Sequence, residues 1–295
     1  MRGGRLAALV PGCPNAASYN RAVTQTPLPQ SDVEAIERAT IAMVSPETTE
    51  DLGNWLLAFD RGAIGRAKCA MPLQHSTFPI DDIETIERRY AARGHPSMFR
   101  LPDVPQFEAF HAALRQRGYH DDRHSLVQVA QTADVRALGT RPEVSLARRP
   151  DDAWGRVFSG DGFDPVDSAS RVQSLSRAQD AIYASICAES AQSAQSTEST
   201  DASIGGESAN AAPEAMAVGA ASFGFGWASI HAMRTALVHR RKGLAGRILS
   251  ALANEAIDRG FERIFLQVED SNAGAQSLYA RAGFRTVWRY AYWQR

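Results

Sequence analysis

The chain has 295 residues, of which 44% are hydrophobic and 22% are charged, and its formal net charge at pH 7 is −1. This length accommodates two modest domains, and the composition is that of an ordinary globular protein. A near-zero charge argues against nucleic-acid and membrane partners, because no basic surplus exists to neutralise phosphates. Three isolated cysteines suggest neither a disulfide framework nor a metal site, so we expect a cytoplasmic protein without a metal.

The first half of the chain predicts an alternation of helices and strands. We interpret residues 1–30 as a flexible tail and residues 31–135 as a small N-terminal α/β lobe. Helical periodicity predicts helices over 32–43, 81–93 and 105–117. Short apolar runs predict strands over 55–59, 65–71, 97–101 and 126–130.

A linker, 131–143, is predicted to connect this lobe to a second domain, 144–295. That domain is interrupted by residues 188–213, which are rich in Ala, Ser, Gly and Glu and almost without large apolar side chains. Such a segment cannot offset its ordering entropy by burial. We therefore predict a disordered insertion between two strands of the second domain.

The stretch 239–250 predicts an anion-binding site. It connects a strand-like segment, 227–235, to an amphipathic helix whose first turn contains small residues, so ligand atoms can approach the backbone. The first N–H groups of a helix have no intrahelical partner, and the helix dipole and three basic side chains add positive potential. This arrangement is typical of pyrophosphate sites, and an ordinary solvated turn is the alternative. The residues concerned are Arg240, Arg241, Lys242, Gly243, Leu244, Ala245 and Gly246.

A second motif follows that helix. A strand candidate, 263–269, leads to an asparagine and then to a short helix that ends at a Gly-Phe pair. The pattern reads Asn-x-x-Ala-x-x-Leu-Tyr-x-x-x-Gly-Phe. Its positions are Asn272, Ala275, Leu278, Tyr279, Gly283 and Phe284.

In this order the two motifs resemble the GNAT superfamily of N-acetyltransferases. The spacing Arg240-x-x-Gly243-x-Ala245 is similar to the acyl-CoA loop of that superfamily, and the second motif is similar to the end of its core. The resemblance covers about 144–295. It implies an α/β fold with a mixed, mostly antiparallel sheet, helices on both faces, and two central strands that splay apart to admit CoA.

The first half repeats the order of elements in the second half, including a Gly-aromatic pair, Gly118-Tyr119, before a strand. This order suggests a tandem form with a degenerate GNAT-like N-terminal lobe. After Phe284 the chain has room for one strand, or at most a kinked pair, where the superfamily usually has two. We therefore expect the N-terminal lobe to complete the sheet or to cover the substrate side.

The resemblance also implies a function and roles for residues. It implies transfer of an acetyl group from acetyl-CoA, a co-substrate, to a primary amine by direct attack. The basic loop would bind the pyrophosphate, Met233 and Thr235 the pantetheine arm, and Asn272 the CoA. Tyr279 would protonate the departing thiolate, since a phenol with a pKa near 10 stays protonated at pH 7. A helix N-cap and a core side chain are the alternative roles of Asn272 and Tyr279.

The sequence does not fix the general base. Relatives that acetylate protein N-termini carry Glu where this chain has Gln267, which cannot accept a proton at neutral pH. Glu269 is the base we name beside Tyr279, with His231 or a water chain as alternatives. We expect a small-molecule or peptide amine as the acceptor, and the oligomeric state is not indicated. A non-catalytic CoA-binding or regulatory module, or a generic phosphate-ester binder, is the alternative function.

Overall fold

The computed structural model describes residues 27–139, 143–160, 164–188 and 214–295. Nearly all of the predicted tail and of the predicted insertion therefore lies outside the described residues. The helices are α1 (Gln30–Val44), α2 (Asp82–Ala91), α3 (Glu108–Gln116), α4 (Thr132–Arg136), α5 (Asp152–Phe158), α6 (Pro165–Ser176), α7 (Leu244–Asp258) and α8 (Ala273–Arg281). The strands are β1 (Thr48–Asp51), β2 (Trp55–Phe59), β3 (Ala70–Pro72), β4 (Phe99–Pro102), β5 (His120–Gln131), β6 (Ser145–Ala147), β7 (Ala181–Cys187), β8 (Ala215–Gly224), β9 (Trp227–Thr235), β10 (Arg263–Glu269) and β11 (Arg285–Gln294).

One eleven-stranded sheet contains all of these strands, in the order β1-β2-β3-β4-β11-β5-β10-β9-β8-β7-β6. Two neighbouring pairs, β3–β4 and β9–β10, are parallel. The other neighbours are antiparallel. The predicted α/β fold with a mixed, mostly antiparallel sheet is confirmed.

Strand β5, from the first half of the chain, lies between two strands of the second half. It pairs with β10 from Gln131 to Ser125 and with β11 along its other edge. Since β11 is the one strand after Phe284, β5 fills the place beside it, as expected for a first half that completes the sheet. The division at 135 and 144 stays a prediction. The predicted linker contains α4, whose Val135 is fully buried.

Helices cover both faces of the sheet because successive strand residues point to opposite sides. In β10, Phe265 packs in the core that includes residues of α1, α5 and α6, whereas Leu266 packs with α7 and α8. A third cluster joins α2 and α3 to the β2–β4 end. Within the described parts of the chain, no helix is both long and apolar enough to cross a bilayer.

Two local features position the candidate site. Strands β9 and β10 pair only from Ala228 to Ile230, so the rest of β9 has no strand partner on that side among the residues that the structure describes. The two strands thus part, and the resemblance implies two central strands that splay apart. Beyond this point β9 carries a bulge opposite Gly219, and Ala232 within it adopts a positive φ of 55°.

The predicted strand 65–71 forms differently. Residues Gly65–Lys68 are a 3-10 helix, and only Ala70–Pro72 pair as a strand. A short apolar run does not distinguish a strand from a buried 3-10 turn. Here Ala67 and Cys69 are fully buried although residues 65–68 are not a strand. The 3-10 helix places Arg66 in contact with Gln267 of β10.

Candidate active site

A pocket of about 650 Å³ opens where β9 and β10 part. It is built by the end of β9, the basic loop, the first turn of α7 and the helix α8. The predicted site residues that line it are Met233, Thr235, Arg240, Arg241, Gly243, Leu244, Ala245, Gly246, Asn272 and Tyr279. Two predicted residues, Lys242 and Glu269, do not line it. Among its other lining residues are Leu138, Arg234 and Arg281, which no sequence motif marked.

We call the N-terminal end of α7, which begins after Gly243, its mouth, and this end is open. Its N-cap is Gly243, with a φ of 76°, and no side chain caps the helix. A Cβ at Gly243 would meet no atom within 4 Å, so a ligand can approach the backbone. Among the described residues, no acceptor pairs with the N–H groups of Leu244, Ala245 or Gly246. Unpaired amides at a positive helix end favour an anion.

The charge around this mouth is positive. Arg240, Arg241 and Lys242 are exposed, and no carboxylate in the described ranges forms an ion pair with them. Arg240 Nε donates to the carbonyl of Thr235 at 3.4 Å, and the first turn of α7 contains no acidic residue. The donor set therefore suits a multiply charged anion such as a pyrophosphate.

Asn272 has a structural role within this pocket. Its Oδ1 accepts a hydrogen bond from the N–H of Ala275 at 3.0 Å and so caps α8. The side chain is nonetheless exposed, and its amide group is free to contact a ligand. The two interpretations of Asn272, a cap and a CoA contact, are compatible in this geometry.

Tyr279 lies on the inner face of α8. Its ring is 6% exposed and packs edge-on against Phe284 at 5.8 Å between centroids. Burial raises the pKa of the Tyr279 phenol to about 12, so the hydroxyl stays protonated at neutral pH. Tyr279 is thus both a core side chain and a proton-bearing group at the pocket wall.

The two side-chain candidates for a base, Glu269 and His231, have different surroundings, and so does Gln267, which cannot act as a base. Glu269 is exposed at the end of β10, while Gln267 is half-buried on the opposite face of that strand from Tyr279. Gln267 Oε1 accepts hydrogen bonds from Tyr290 at 2.9 Å and from Arg66 at 3.1 Å. His231 lies 2.9 Å from the hydroxyl of Ser229.

Burial, assisted by the positive charge of Arg66, lowers the pKa of His231 well below 6.5. The neutral imidazole is therefore a weak base. The roles of Glu269 and His231 stay predictions. The sequence reasoning missed Arg66, because a lone arginine in a turn carries no motif.

The pocket fits an acyl-CoA donor in its chemistry. Open amides and basic side chains lie at one end, and the unpaired edge of β9 runs from them towards Tyr279. In the described part of the chain, no group of three or more His, Cys, Asp or Glu side chains is arranged to hold a metal ion.

Comparison with known families gives one match over most of the chain. The profile of the family described as "Probable histone acetyltransferase Rv0428c C-terminal" matches residues 30–293. A comparison with curated proteins gave no match.

Solved structures share the fold. A GCN5-related N-acetyltransferase from Kribbella flavida is 16% identical, with a TM-score of 0.59 over 89% of this chain and 95% of that chain. A functionally unknown conserved protein from Staphylococcus epidermidis is 10% identical, with a TM-score of 0.60 over 88% and 98%. A tandem GNAT protein from the clavulanic acid biosynthesis pathway is 13% identical, with a TM-score of 0.53 over 91% and 97%.

At these identities the likeness shows the fold alone. The profile match and the fold agree with the two sequence motifs. The chain therefore belongs to the acetyltransferase family described as "Probable histone acetyltransferase Rv0428c C-terminal", within the GNAT superfamily.

Proposed function

We propose that the protein transfers the acetyl group of acetyl-CoA to a primary amine by direct attack on the thioester. One observation supports this most: the open mouth of α7, the basic loop, Asn272 and Tyr279 meet in one pocket at the splay of β9 and β10.

The donor would be held by the loop and by β9. The free amides from Leu244 to Gly246 would donate to the pyrophosphate, and each hydrogen bond to a charged group is worth about 1.5–3 kcal/mol. The backbone of β9 at Met233 and Thr235 would pair with the amide groups of the pantetheine arm, because this edge lacks a neighbouring strand.

Tyr279 would assist the leaving group. Its pKa of about 12 lies above the value near 8.5 of an ordinary thiol, so complete proton transfer in water would be uphill. The same burial disfavours the thiolate, which raises the proton affinity of the sulfur. A phenol donating a hydrogen bond to that sulfur therefore stabilises the charge as it develops.

Direct attack agrees with the surroundings of Cys69. This cysteine is fully buried, and burial raises its thiol pKa to about 12, so it is a poor nucleophile. The incoming amine would lose its proton to Glu269, or to water that relays it to solvent.

The test is the variant Tyr279→Phe. Removing a positioned proton donor should lower kcat at least about 100-fold. The affinity for CoA, measured by titration calorimetry, should stay unchanged, because the phenol ring is retained. Release of free thiol from acetyl-CoA should be followed with a panel of amines, including a basic lysine peptide. Tyr119→Phe is the matched control, since Tyr119 bonds Ser97 and Glu87 far from the pocket.

Two results would contradict the proposal. Binding of acetyl-CoA without turnover of any amine by the unaltered protein would indicate a non-catalytic CoA-binding module. Competition by free nucleotides as effective as that by CoA would indicate a generic phosphate-ester binder.

A further inference from the structure

The face of β10 opposite Tyr279 carries a second polar cluster. Leu266 and Val268 pack in the same core as Tyr279, so the residue between them, Gln267, points to the other side. There Gln267 contacts Thr40 of α1 and Arg66 of the 3-10 helix. The last residue pair between β9 and β10 joins Ile230 to Leu266, so Gln267 is the first residue of β10 beyond the point where the two strands part.

Three arginines lie near one another, and one of them, Arg66, contacts Gln267. We call Arg66, Arg123 and Arg171 the arginine cluster. Arg66 Nη1 donates to Gln267 Oε1 at 3.1 Å. The guanidinium of Arg123 lies 4.5 Å from the ring centroid of Tyr292. A Cβ built at Gly65, next to Arg66, would lie 3.4 Å from both Arg123 Nη1 and Tyr292 Cε1.

Arg171, on α6, lies close enough to Arg66 and Arg123 for their positive charges to act on it. Burial is the main cause that lowers its pKa, and the positive charges of Arg66 and Arg123 act in the same direction, against Asp167. Arg66 and Arg171 are half-buried and Arg123 is exposed, so a solute can reach the cluster from the Arg123 side.

Within the described residues, Arg66 lacks an acidic partner. Arg123 pairs with its neighbour Asp122, but Arg66 forms no ion pair with any carboxylate that the structure describes. Tyr292 does not supply the missing charge, because burial and the adjacent Tyr290 raise its pKa well above 10. A half-buried guanidinium without a counter-ion is costly, and an anion would relieve that cost.

A buried arginine on the same side has a balanced charge but unpaired donors. Arg100, 2% exposed, forms an ion pair with Glu37 and lies 4.7 Å from the centroid of the Tyr290 ring. Its Nε and Nη1 find no hydrogen-bond acceptor within the described ranges. Tyr290 in turn donates to Gln267 at 2.9 Å. Hydrogen-bond donors without an acceptor are thus also found on this side of β10.

We infer that the arginine cluster binds an acidic group of the acyl acceptor, so that the substrate is an amine which also carries a carboxylate or a phosphate. This inference rests on the proposed acetyl transfer. Planar guanidinium groups bind such oxyanions in a bidentate manner. With the acid held at Arg66, the amine of the same molecule lies towards the gap beside Gln267. A strongly basic peptide would meet repulsion here.

The binding experiment uses the full chain saturated with CoA. Glycine, β-alanine and γ-aminobutyrate are each compared with the corresponding amide, and phosphoethanolamine is compared with ethanolamine, by titration calorimetry. At least one acid should bind about tenfold more tightly than its neutral partner, which corresponds to about 1.4 kcal/mol. The carboxylate and phosphate series show which oxyanion is preferred.

Variants assign the preference to the cluster. Arg66→Gln should remove the difference between acid and neutral partner while leaving CoA affinity unchanged. Arg88→Gln is the control. Arg88 is exposed on α2, outside the cluster, and its replacement removes the same positive charge. Absence of any preference in the unaltered protein would overturn the inference, and so would a preference that survives in both Arg66→Gln and Arg171→Gln.

Turnover separates this inference from the proposed function. Release of thiol should be faster for the acidic amines, mainly through a lower KM. Acetylation of amines without any preference for acids would defeat the inference and leave the acetyl transfer standing. If acids bind more tightly but no amine causes release of thiol from acetyl-CoA, the proposed acetyl transfer is wrong and the anion site remains supported.

Discussion

At the scale of single residues, Gly219 shows how closely the pocket wall is packed. It lies on β8 opposite the bulge of β9, and its carbonyl accepts a hydrogen bond from Trp154 Nε1 at 3.1 Å. A Cβ at this position would lie 2.6 Å from Met233 Sδ and 2.7 Å from Ile248 Cγ2. The absence of a side chain here lets Met233 stay in the pocket lining.

Gly219→Ala should therefore destabilise the protein by about 1–3 kcal/mol, the usual cost of overpacking a core. It should also weaken binding of acetyl-CoA, because Met233 must move. Gly224→Ala, on the same strand with no atom within 4 Å of the added Cβ, is the matched control. Chemical denaturation measures the effect, and equal stability of the two variants would contradict the packing argument.

His231 predicts a pH dependence. Its pKa in the folded protein is below 6.5, so below pH 6.5 the unfolded chain binds a proton that the folded protein does not. Stability should fall as pH falls from 6.5, by up to about 1.4 kcal/mol per unit for this one group. His75, whose pKa burial lowers to about 4, acts in the same direction.

His231→Gln should flatten the dependence of unfolding free energy on pH between 6.5 and 5, measured by urea denaturation. His120→Gln, at an exposed position, is the matched control. A slope identical to that of the unaltered protein in His231→Gln would show that the imidazole is not buried in its neutral form.

At the scale of elements, α7 and α8 begin in opposite ways. α7 starts at Gly243 with free amides, whereas α8 starts at Asn272, whose side chain satisfies the N–H of Ala275. The uncapped end is the one that offers donors to an anion, and the capped end fixes the helix that carries Tyr279. Each helix mouth is thus suited to a different task in the same pocket.

Asn272→Ala should cost about 1 kcal/mol of stability through loss of the cap. Asn272→Ser should keep most of that stability, since a hydroxyl also caps a helix, but it removes the amide that faces the pocket. Thermal denaturation and CoA titration of both variants separate the two roles. Unchanged CoA affinity in Asn272→Ser would show that Asn272 caps α8 and does not contact CoA.

At the scale of the whole molecule, β5 joins the two halves of the chain into one sheet. It provides the neighbour of both β10 and β11, and its Val127 is fully buried. The core of the second half is therefore incomplete without the first half. The Gln267 contacts to Thr40 and Arg66 cross between the same two halves.

Residues 144–295 produced alone should accordingly fail to unfold cooperatively, because β10 and β11 would lose the strand between them. Co-expression with residues 27–139 should restore a folded complex. Circular dichroism melting and size-exclusion chromatography provide the measurement. A cooperative transition in the isolated fragment would instead support an independent domain with a boundary near 144.

The local parts of the structure follow closely from the sequence. The helix α7 could be predicted because its apolar residues recur at helical spacing, and the strand β10 because it is a short, largely apolar run. The open helix mouth follows from small residues beside three basic ones. These features depend on neighbours within a few residues, which a pattern records directly.

What the sequence alone determined is the second half: its fold, the basic loop and the motif that contains Asn272 and Tyr279. Only the tertiary structure decided that β5 enters the middle of the sheet and that Arg66 meets Gln267, a residue 201 positions away. The physical reason is that such contacts depend on how complete elements pack together. No local periodicity of charge or apolar residues encodes that packing.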